Sequence, residues 1–268
     1  MKKFNILLTN DDGIESPGLR AAVESVMDLG NVTVVAPTSQ QTGAGRGLVG
    51  DMQSVLTPVE YIVNGVAVTA YHCECSPALA VRHSLRTLLH NATIDLLVSG
   101  INYGENLGVN ISSSGTIGAA LEGASSGIPG IAISKQTEIS SHHSYTDQDW
   151  SVTMHFLRKF ADYMLTHELD ADVDVLKIEV PNDATTATQW EFTRLAKTAY
   201  YYKDIPNPGA ASKIGDGATV IKVDKDRLDP LSDIYSLAIR KNVSVTPLSL
   251  DFTSRLSLDE LRIKFEKG

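Results

Sequence analysis

Short apolar runs alternate with longer amphipathic ones from residue 4 to residue 180, and this rhythm constrains the fold more than any other feature. Phe4–Thr9 reads as a buried strand, and 17–29 as a helix with Ser16 as N-cap and Pro17 at its first position. Strands are expected at 32–35, 94–98, 131–133 and Val175–Val180, and helices at 77–90, 116–126 and 149–166. Asn64-Gly65 inside 61–69 signals a hairpin. Parallel neighbours need crossovers, and helices supply them, so the alternation predicts parallel strands. The strands are near-continuous apolar runs, as suits a sheet covered on both faces. The expected fold is α/β: a three-layer, doubly wound, mostly parallel sheet of Rossmann-like type. Such sheets bind ligands outside the carboxyl ends of their strands.

Beyond Pro181 the rhythm changes. Residues 190–250 hold short β-like pieces, a turn region I-P-N-P-G (205–209) and a strand-like V-S-V-T-P (243–247). A short helix at 257–265 opens with the capping box Ser257/Glu260. Its Leu258, Leu261, Ile263 and Phe265 do not share one face, so this end is expected to pack against something. The reading is a catalytic core at 1–184 and a β-rich extension with a C-terminal helix at 185–268, an oligomerisation element.

The net charge of −9 argues against a nucleic-acid duplex or an anionic membrane as partner. The first apolar run stops at Asn10, short of the ~7–15-residue core of a secretory leader. No stretch reaches the ~18 apolar residues of a membrane span. Two cysteines, Cys73 and Cys75, supply no disulfide framework. A soluble cytoplasmic protein with reduced thiols is expected.

Three segments carry chemistry. T-N-D-D-G (9–13) falls where the first strand ends. Asp11 and Asp12 repel one another there unless a cation joins them, and a hard divalent ion prefers such oxygens. A solvated turn is the plain alternative. S-G-I-N-Y-G-E-N-L-G (99–108) reads as a glycine-rich loop in which Asn102 or Asn106 could offer a neutral oxygen. S-S-S-G-T (112–116) opens a helix, where free N–H groups and the dipole suit a phosphate, or where a hydroxyl simply caps. A parallel sheet brings all three to one edge. A hard-metal site beside an anion cradle is the arrangement expected for metal-assisted phosphoester hydrolysis.

Other motifs weigh less. G-R-G-L-V-G (45–50) matches G-x-G-x-x-G but starts ten residues after the strand at 32–35, so it lacks the tight strand-to-helix turn. Cys73 and Cys75 with His72 make an incomplete zinc set, and reduced, partly buried thiols are the expectation. No Walker A sequence and no G-x-S-x-G elbow occur.

Together the segments resemble the SurE family, stationary-phase survival protein E. The resemblance runs through L-L-T-N-D-D-G-I-E-S-P-G-L-R (7–20), V-V-A-P (34–37), Q-Q-T-G (40–43) and D-L-L-V-S-G-I-N-Y-G-E-N-L-G (95–108). It continues through S-G-T-I-G-A-A-L-E-G (114–123), G-I-P-G-I-A-I-S (127–134) and 232–248. It implies a metal-dependent 5′-nucleotidase, with 3′-nucleotidase and exopolyphosphatase activity also in the family's range. It implies one divalent ion, Mg²⁺ or Mn²⁺, on Asp11, Asp12, Asn102 and Thr42. It also implies phosphate on Ser114, Gly115 and Thr116, with Asn10 assisting catalysis beside Asp11 and Asp12. A homodimer or homotetramer is the implied assembly. Thr42 stands where the family usually has serine; the oxygen is kept, a methyl is added and χ1 is restricted. Leu79 replaces an aspartate, Thr38 follows A-P in place of another, and K-I-E-V-P (177–181) replaces N-V-N-x-P. Two rival readings are a nonenzymatic nucleotide sensor that keeps the phosphate cradle and an NAD-type oxidoreductase resting on G-R-G-L-V-G.

Overall fold

The computed structural model describes residues 3–267; residues 1, 2 and 268 lie outside it, and with them the first two positions of the leader-like stretch. In chain order the elements are β1 (Phe4–Thr9), α1 (Pro17–Val26), β2 (Gly30–Pro37), β3 (Thr57–Pro58), β4 (Ile62–Val63), β5 (Val66–Ala67), β6 (Thr69–Cys73) and α2 (Pro77–Arg86). They continue with β7 (Leu96–Tyr103), α3 (Gly115–Ala124), β8 (Gly130–Lys135), α4 (Ser151–Thr166), β9 (Val175–Val180), β10 (Trp190–Phe192), β11 (Tyr201–Asp204), β12 (Ala218–Ile221), β13 (Val243–Leu248) and α5 (Leu258–Glu266).

Nine strands form the main sheet, in the order β10-β13-β9-β8-β7-β1-β2-β6-β3. From β6 across to β9 every neighbour is parallel, while β3 and β13 pair antiparallel to β6 and β9. The expected three-layer α/β fold is therefore present. Side chains alternate across the pleat: Ile6 and Leu8 pack under α1 and α4 with Phe156 and Leu157, whereas Leu7 faces α2 and α3 with Val81 and Ile117. The chain passes from β1 to β2 on one side and returns to β7 on the other, so β1 and β7 flank the switch point where such sheets open a ligand crevice.

The hairpin at Asn64-Gly65 forms with both residues at positive φ, +50° and +77°, as a type I′ turn requires. Helices α1 and α2 end three and four residues earlier than expected, and α3 starts at Gly115 with Ser114 as its cap. The larger difference lies at 99–108. The segment read as a loop continues β7 as far as Tyr103, with a register shift between Ser99 and Asn102 and a cis peptide at Gly100-Ile101. Gly100 is at φ +129°, and a Cβ there would sit 2.3 Å from the Ile133 carbonyl oxygen. Only glycine lets β7 run this close to β8. Asn102 is thus a strand residue, paired with Ser134.

After residue 184, β10 and β13 widen the main sheet while β11 and β12 make a separate antiparallel pair. Helix α5 leaves Leu258, Ile263 and Phe265 exposed. No helix among the described residues is long and apolar enough to cross a membrane.

Candidate active site

Strand β1 delivers Thr9 to the edge of the sheet, and the next four residues turn sharply. Asn10 Oδ1 accepts the Gly13 N–H at 3.1 Å and closes the turn. Gly13 sits at φ +103°, with the backbone of Ser39 3.1 Å from where a Cβ would be. The loop after β2 is clamped onto this turn: Gln41 N–H donates to the Asp11 carbonyl at 2.6 Å, and Ile14 N–H to the Pro37 carbonyl at 2.9 Å. Tyr145 adds its hydroxyl to the Asp12 carbonyl at 2.7 Å. The turn is held on three sides, which fixes the two carboxylates it carries.

Asp11 and Asp12 are only 7% and 3% exposed. Asp11 Oδ1 accepts the Thr116 hydroxyl at 2.7 Å, and the N–H groups of Gly115 and Thr116 also act on this carboxylate. Asp12 accepts from Gln40 Nε2 at 3.0 Å and from the Tyr103 N–H at 3.4 Å. Burial raises both carboxyl pKa values; for Asp12 the neighbouring charge of Asp11 adds to it and the value reaches about 8. Among the described residues no lysine, arginine or histidine forms an ion pair with either group. Two buried carboxylates without a basic partner are costly as they stand, and a bound cation removes that cost.

The surroundings test whether a divalent ion fits. No group of three or more His, Cys, Asp or Glu side chains among the described residues is placed to hold a metal. Any ion here must complete its shell with neutral oxygens, which hard cations accept. Asn102 suits that role: its Nδ2 donates to the Gly104 carbonyl at 2.7 Å, and no hydrogen bond to its Oδ1 is formed among the described residues. The Asn10 Nδ2 is buried and has no hydrogen-bond partner among the described residues. The donor set fits a hard ion on the two aspartates.

The remaining expected residues fall as follows. Thr42 lies in an exposed turn directly after Gln41, whose N–H holds Asp11, and makes no side-chain hydrogen bond among the described residues. Ser114 caps α3, its Oγ accepting the Ile117 N–H at 3.2 Å. Gly115 packs directly on Asp11: a Cβ there would be 2.7 Å from the Asp11 Cβ. Thr116 gives its hydroxyl to Asp11. The N-terminus of α3 therefore meets the carboxylate turn face to face, and its positive end partly offsets the charge of Asp11.

Three contacts escaped the sequence reading. Gln40 bridges Asp12 and the His142 carbonyl, at 3.0 and 2.8 Å. Tyr103 and Tyr145 stack 6.1 Å apart beside Asp12. Glu122 on α3, 2% exposed, accepts Arg46 Nε at 2.9 Å and Arg82 Nε at 2.6 Å. Gln40, Tyr103 and Glu122 do sit in the segments 40–43, 95–108 and 114–123; Tyr145 lies in none of them. Residues 45–50 prove to be turns followed by extended chain, with no helix after Gly50, so they brace α3 and form no dinucleotide turn. His142 lies in a short 3-10 turn, Ile139–His143.

The family model described as Survival protein SurE matches residues 6–202. A protein of Thermococcus gammatolerans named 5′-nucleotidase SurE is 37% identical over 97% of this chain and 95% of its own length. One of the same name from Methanocaldococcus jannaschii is 35% identical, with 98% of each chain covered. The crystal structure of the Sure protein from Aquifex aeolicus superposes with a TM-score of 0.74 at 28% identity, covering 98% of this chain and all of that one. With the motifs, the fold and nearly the whole length in agreement, the chain belongs to the SurE family.

Proposed function

We propose that this chain is a divalent-metal-dependent phosphomonoesterase that hydrolyses nucleoside monophosphates to nucleoside and phosphate. The observation that carries the reading is the pair of buried carboxylates, Asp11 and Asp12, at the switch-point edge of the sheet with no basic partner among the described residues. The relatives' name, 5′-nucleotidase SurE, supports the substrate class. Asp11, Asp12, Asn102 and Thr42 would hold one Mg²⁺ or Mn²⁺. Such an ion, when bound, supplies neutralisation of charge on the phosphoryl oxygens.

The chain's own groups do the rest. The Asn10 amide, buried and without an acceptor among the described residues, donates to a phosphoryl oxygen. The α3 N-terminus at Ser114, Gly115 and Thr116 adds donors and dipole on the same side. Asp12, beside the ion, accepts the proton of the attacking water. In-line attack by water is preferred over an aspartyl-phosphate because both carboxylates are committed to the ion. The exposed apolar residues of α5 support an assembly of two or four copies through residues 185–268, with 1–184 as the catalytic core. A cytoplasmic location is consistent with two free cysteines.

The test is phosphate release from nucleoside 5′- and 3′-monophosphates and short polyphosphate, first with EDTA and then with added Mn²⁺ or Mg²⁺. Release that EDTA abolishes and metal restores is expected, with the 5′-monophosphates preferred. No release under any metal would favour the second reading, a nucleotide sensor. One observation favours that reading: Thr42 is exposed, and its hydroxyl makes no hydrogen bond among the described residues. Thr42→Ser is the variant that separates them, since a serine that restores turnover identifies an enzyme with a weakened fourth ligand.

A further inference from the structure

Cys73 and Cys75 play no part in the chemistry above, yet they are placed for chemistry of their own. Residues two apart in a strand share a face, with Cα atoms roughly 6.6 Å apart, near the upper limit for a disulfide. Here the chain does better than a strand. The Cys75 N–H donates to the Cys73 carbonyl at 2.9 Å, a three-residue turn about Glu74 that draws the two Cβ atoms together. The two Sγ atoms lie 2.9 Å apart, inside van der Waals contact, with nothing between them. A metal explanation lacks a third donor: no group of three His, Cys, Asp or Glu side chains among the described residues is placed to hold an ion.

The turn also anchors the loop that reaches the active site. The Cys73 carbonyl accepts the Thr38 N–H at 2.9 Å, and the Glu74 carbonyl accepts the Asp51 N–H at 2.8 Å. Gly50 lies against Cys75, where a Cβ would be 2.4 Å from the cysteine Cβ. Both ends of the segment 38–51, which contains Gln40 and Thr42, therefore rest on the Cys73–Cys75 turn.

We propose that Cys73 and Cys75 form a reversible dithiol–disulfide couple, oxidised by small-molecule disulfides, at the base of the loop that carries Gln40 and Thr42. The Cys73 thiolate attacks one sulfur of the small disulfide and releases the first small thiolate. The Cys75 thiolate then attacks the Cys73 sulfur and releases the second. Two protein thiols and one small disulfide become one protein disulfide and two small thiols. Cys73 is the attacking group because the hydrogen bond from Cys75 stabilises its thiolate and lowers its pKa, while that of Cys75 is raised.

The test uses the full folded chain and oxidised glutathione. After incubation, acid quench and alkylation, the intact mass is expected to fall by two hydrogen atoms, with both cysteines in one closed peptide and both thiols restored by reductant. The same equilibrium in urea should lie further toward the dithiol, since the folded turn holds the sulfurs together. Cys75→Ser should retain glutathione on Cys73 as a stable adduct. Two free thiols in the treated wild type, a persistent glutathione adduct on it, a link between chains, or an equilibrium equal in urea would each overturn the proposal. The wild-type measurement decides even if the serine variant does not fold.

Discussion

The Thr116 hydroxyl donates to Asp11 Oδ1 at 2.7 Å, so the first turn of α3 is tied to the turn that ends β1. This bond joins two segments 105 residues apart. It also changes what the helix N-terminus does: part of its donor capacity is spent orienting a carboxylate, and the rest faces the edge where a phosphate would lie.

Replacing Thr116 by valine keeps the shape and removes the donor. Asp11 stays buried with one partner fewer, so its carboxyl pKa should rise further. Stability should fall by about 1–2 kcal/mol, the net worth of such a bond. Mn²⁺ binding measured calorimetrically should weaken, and Thr116→Ser should restore both. Equal affinity in the valine and serine variants would show that the tie does not orient Asp11.

Asp12→Asn should separate stability from activity. In the metal-free protein the substitution removes a buried charge beside Asp11, whose presence helps push the Asp12 pKa to about 8. The folded wild type therefore takes up a proton that the unfolded chain has lost, and its stability declines as pH rises from about 4 towards 8. The variant lacks this decline. At pH 8 without metal its Tm should be higher by at least ~2–4 °C, the shift for about 1 kcal/mol in a chain of this size. Phosphate release should be lost at the same time, as expected where function stores instability. A lower Tm in the variant would mean that Gln40 and the Tyr103 N–H already compensate the charge.

The aspartate pair was legible because Asn, Asp and Gly after an apolar run mark the end of a strand at any point in a chain. Asn102 was legible as a residue and misplaced as a loop. Its segment has glycines and no alternation, and what keeps it in β7 is the fit of Gly100 against Ile133, a contact between strands. Gln40 and Tyr145 reach Asp12 across 28 and 133 residues, and no local spacing encodes such approaches. Glu122 sits in the 114–123 segment, but nothing in that segment shows that Arg46 and Arg82 close on it from elsewhere in the chain. The layers of the fold follow from local periodicity, while the polar partners of the site follow from packing that periodicity does not specify.

Glu179→Gln should flatten the dependence of stability on pH. Lys177, Glu179 and Asp233 are all fully buried, with Lys177 Nζ 3.5 Å from Glu179 and 3.2 Å from Asp233. One cation serves two carboxylates, and Glu105 lies near enough to add to the repulsion. Burial is the largest cause that lifts the Glu179 pKa, to about 8, with Lys177 opposing it. The raised value means that the folded state holds the extra proton between about pH 4.5 and 8, and stability is lost as pH climbs through that window. One proton corresponds to at most about 1.4 kcal/mol per pH unit. Urea midpoints at several pH values should show the glutamine variant gaining on the wild type from pH 5 to pH 8. Parallel curves would place the titration elsewhere in the network.

Gly118→Ala sets two effects of opposite sign against each other. Inside a helix, alanine in place of glycine stabilises by roughly 0.5–1 kcal/mol. At Gly118, however, a Cβ would stand 2.1 Å from the Gly45 carbonyl oxygen and 2.6 Å from the Arg46 nitrogen, both backbone atoms that cannot swing aside. The loop must move, and with it the bond from Gly45 N–H to the Ser113 carbonyl and the Arg46–Glu122 pair. Overpacking of this kind costs about 1–3 kcal/mol, so the clash should win and the variant should be less stable. Gly123→Ala is the matched control on the same helix: its Cβ would meet the end of the Leu97 side chain, which can turn away. Because Thr42 lies in the displaced loop, Gly118→Ala should also raise the Mn²⁺ concentration needed for half-maximal phosphate release, and Gly123→Ala should not. If both variants shifted the metal requirement equally, the contact between α3 and the loop would not be what positions Thr42.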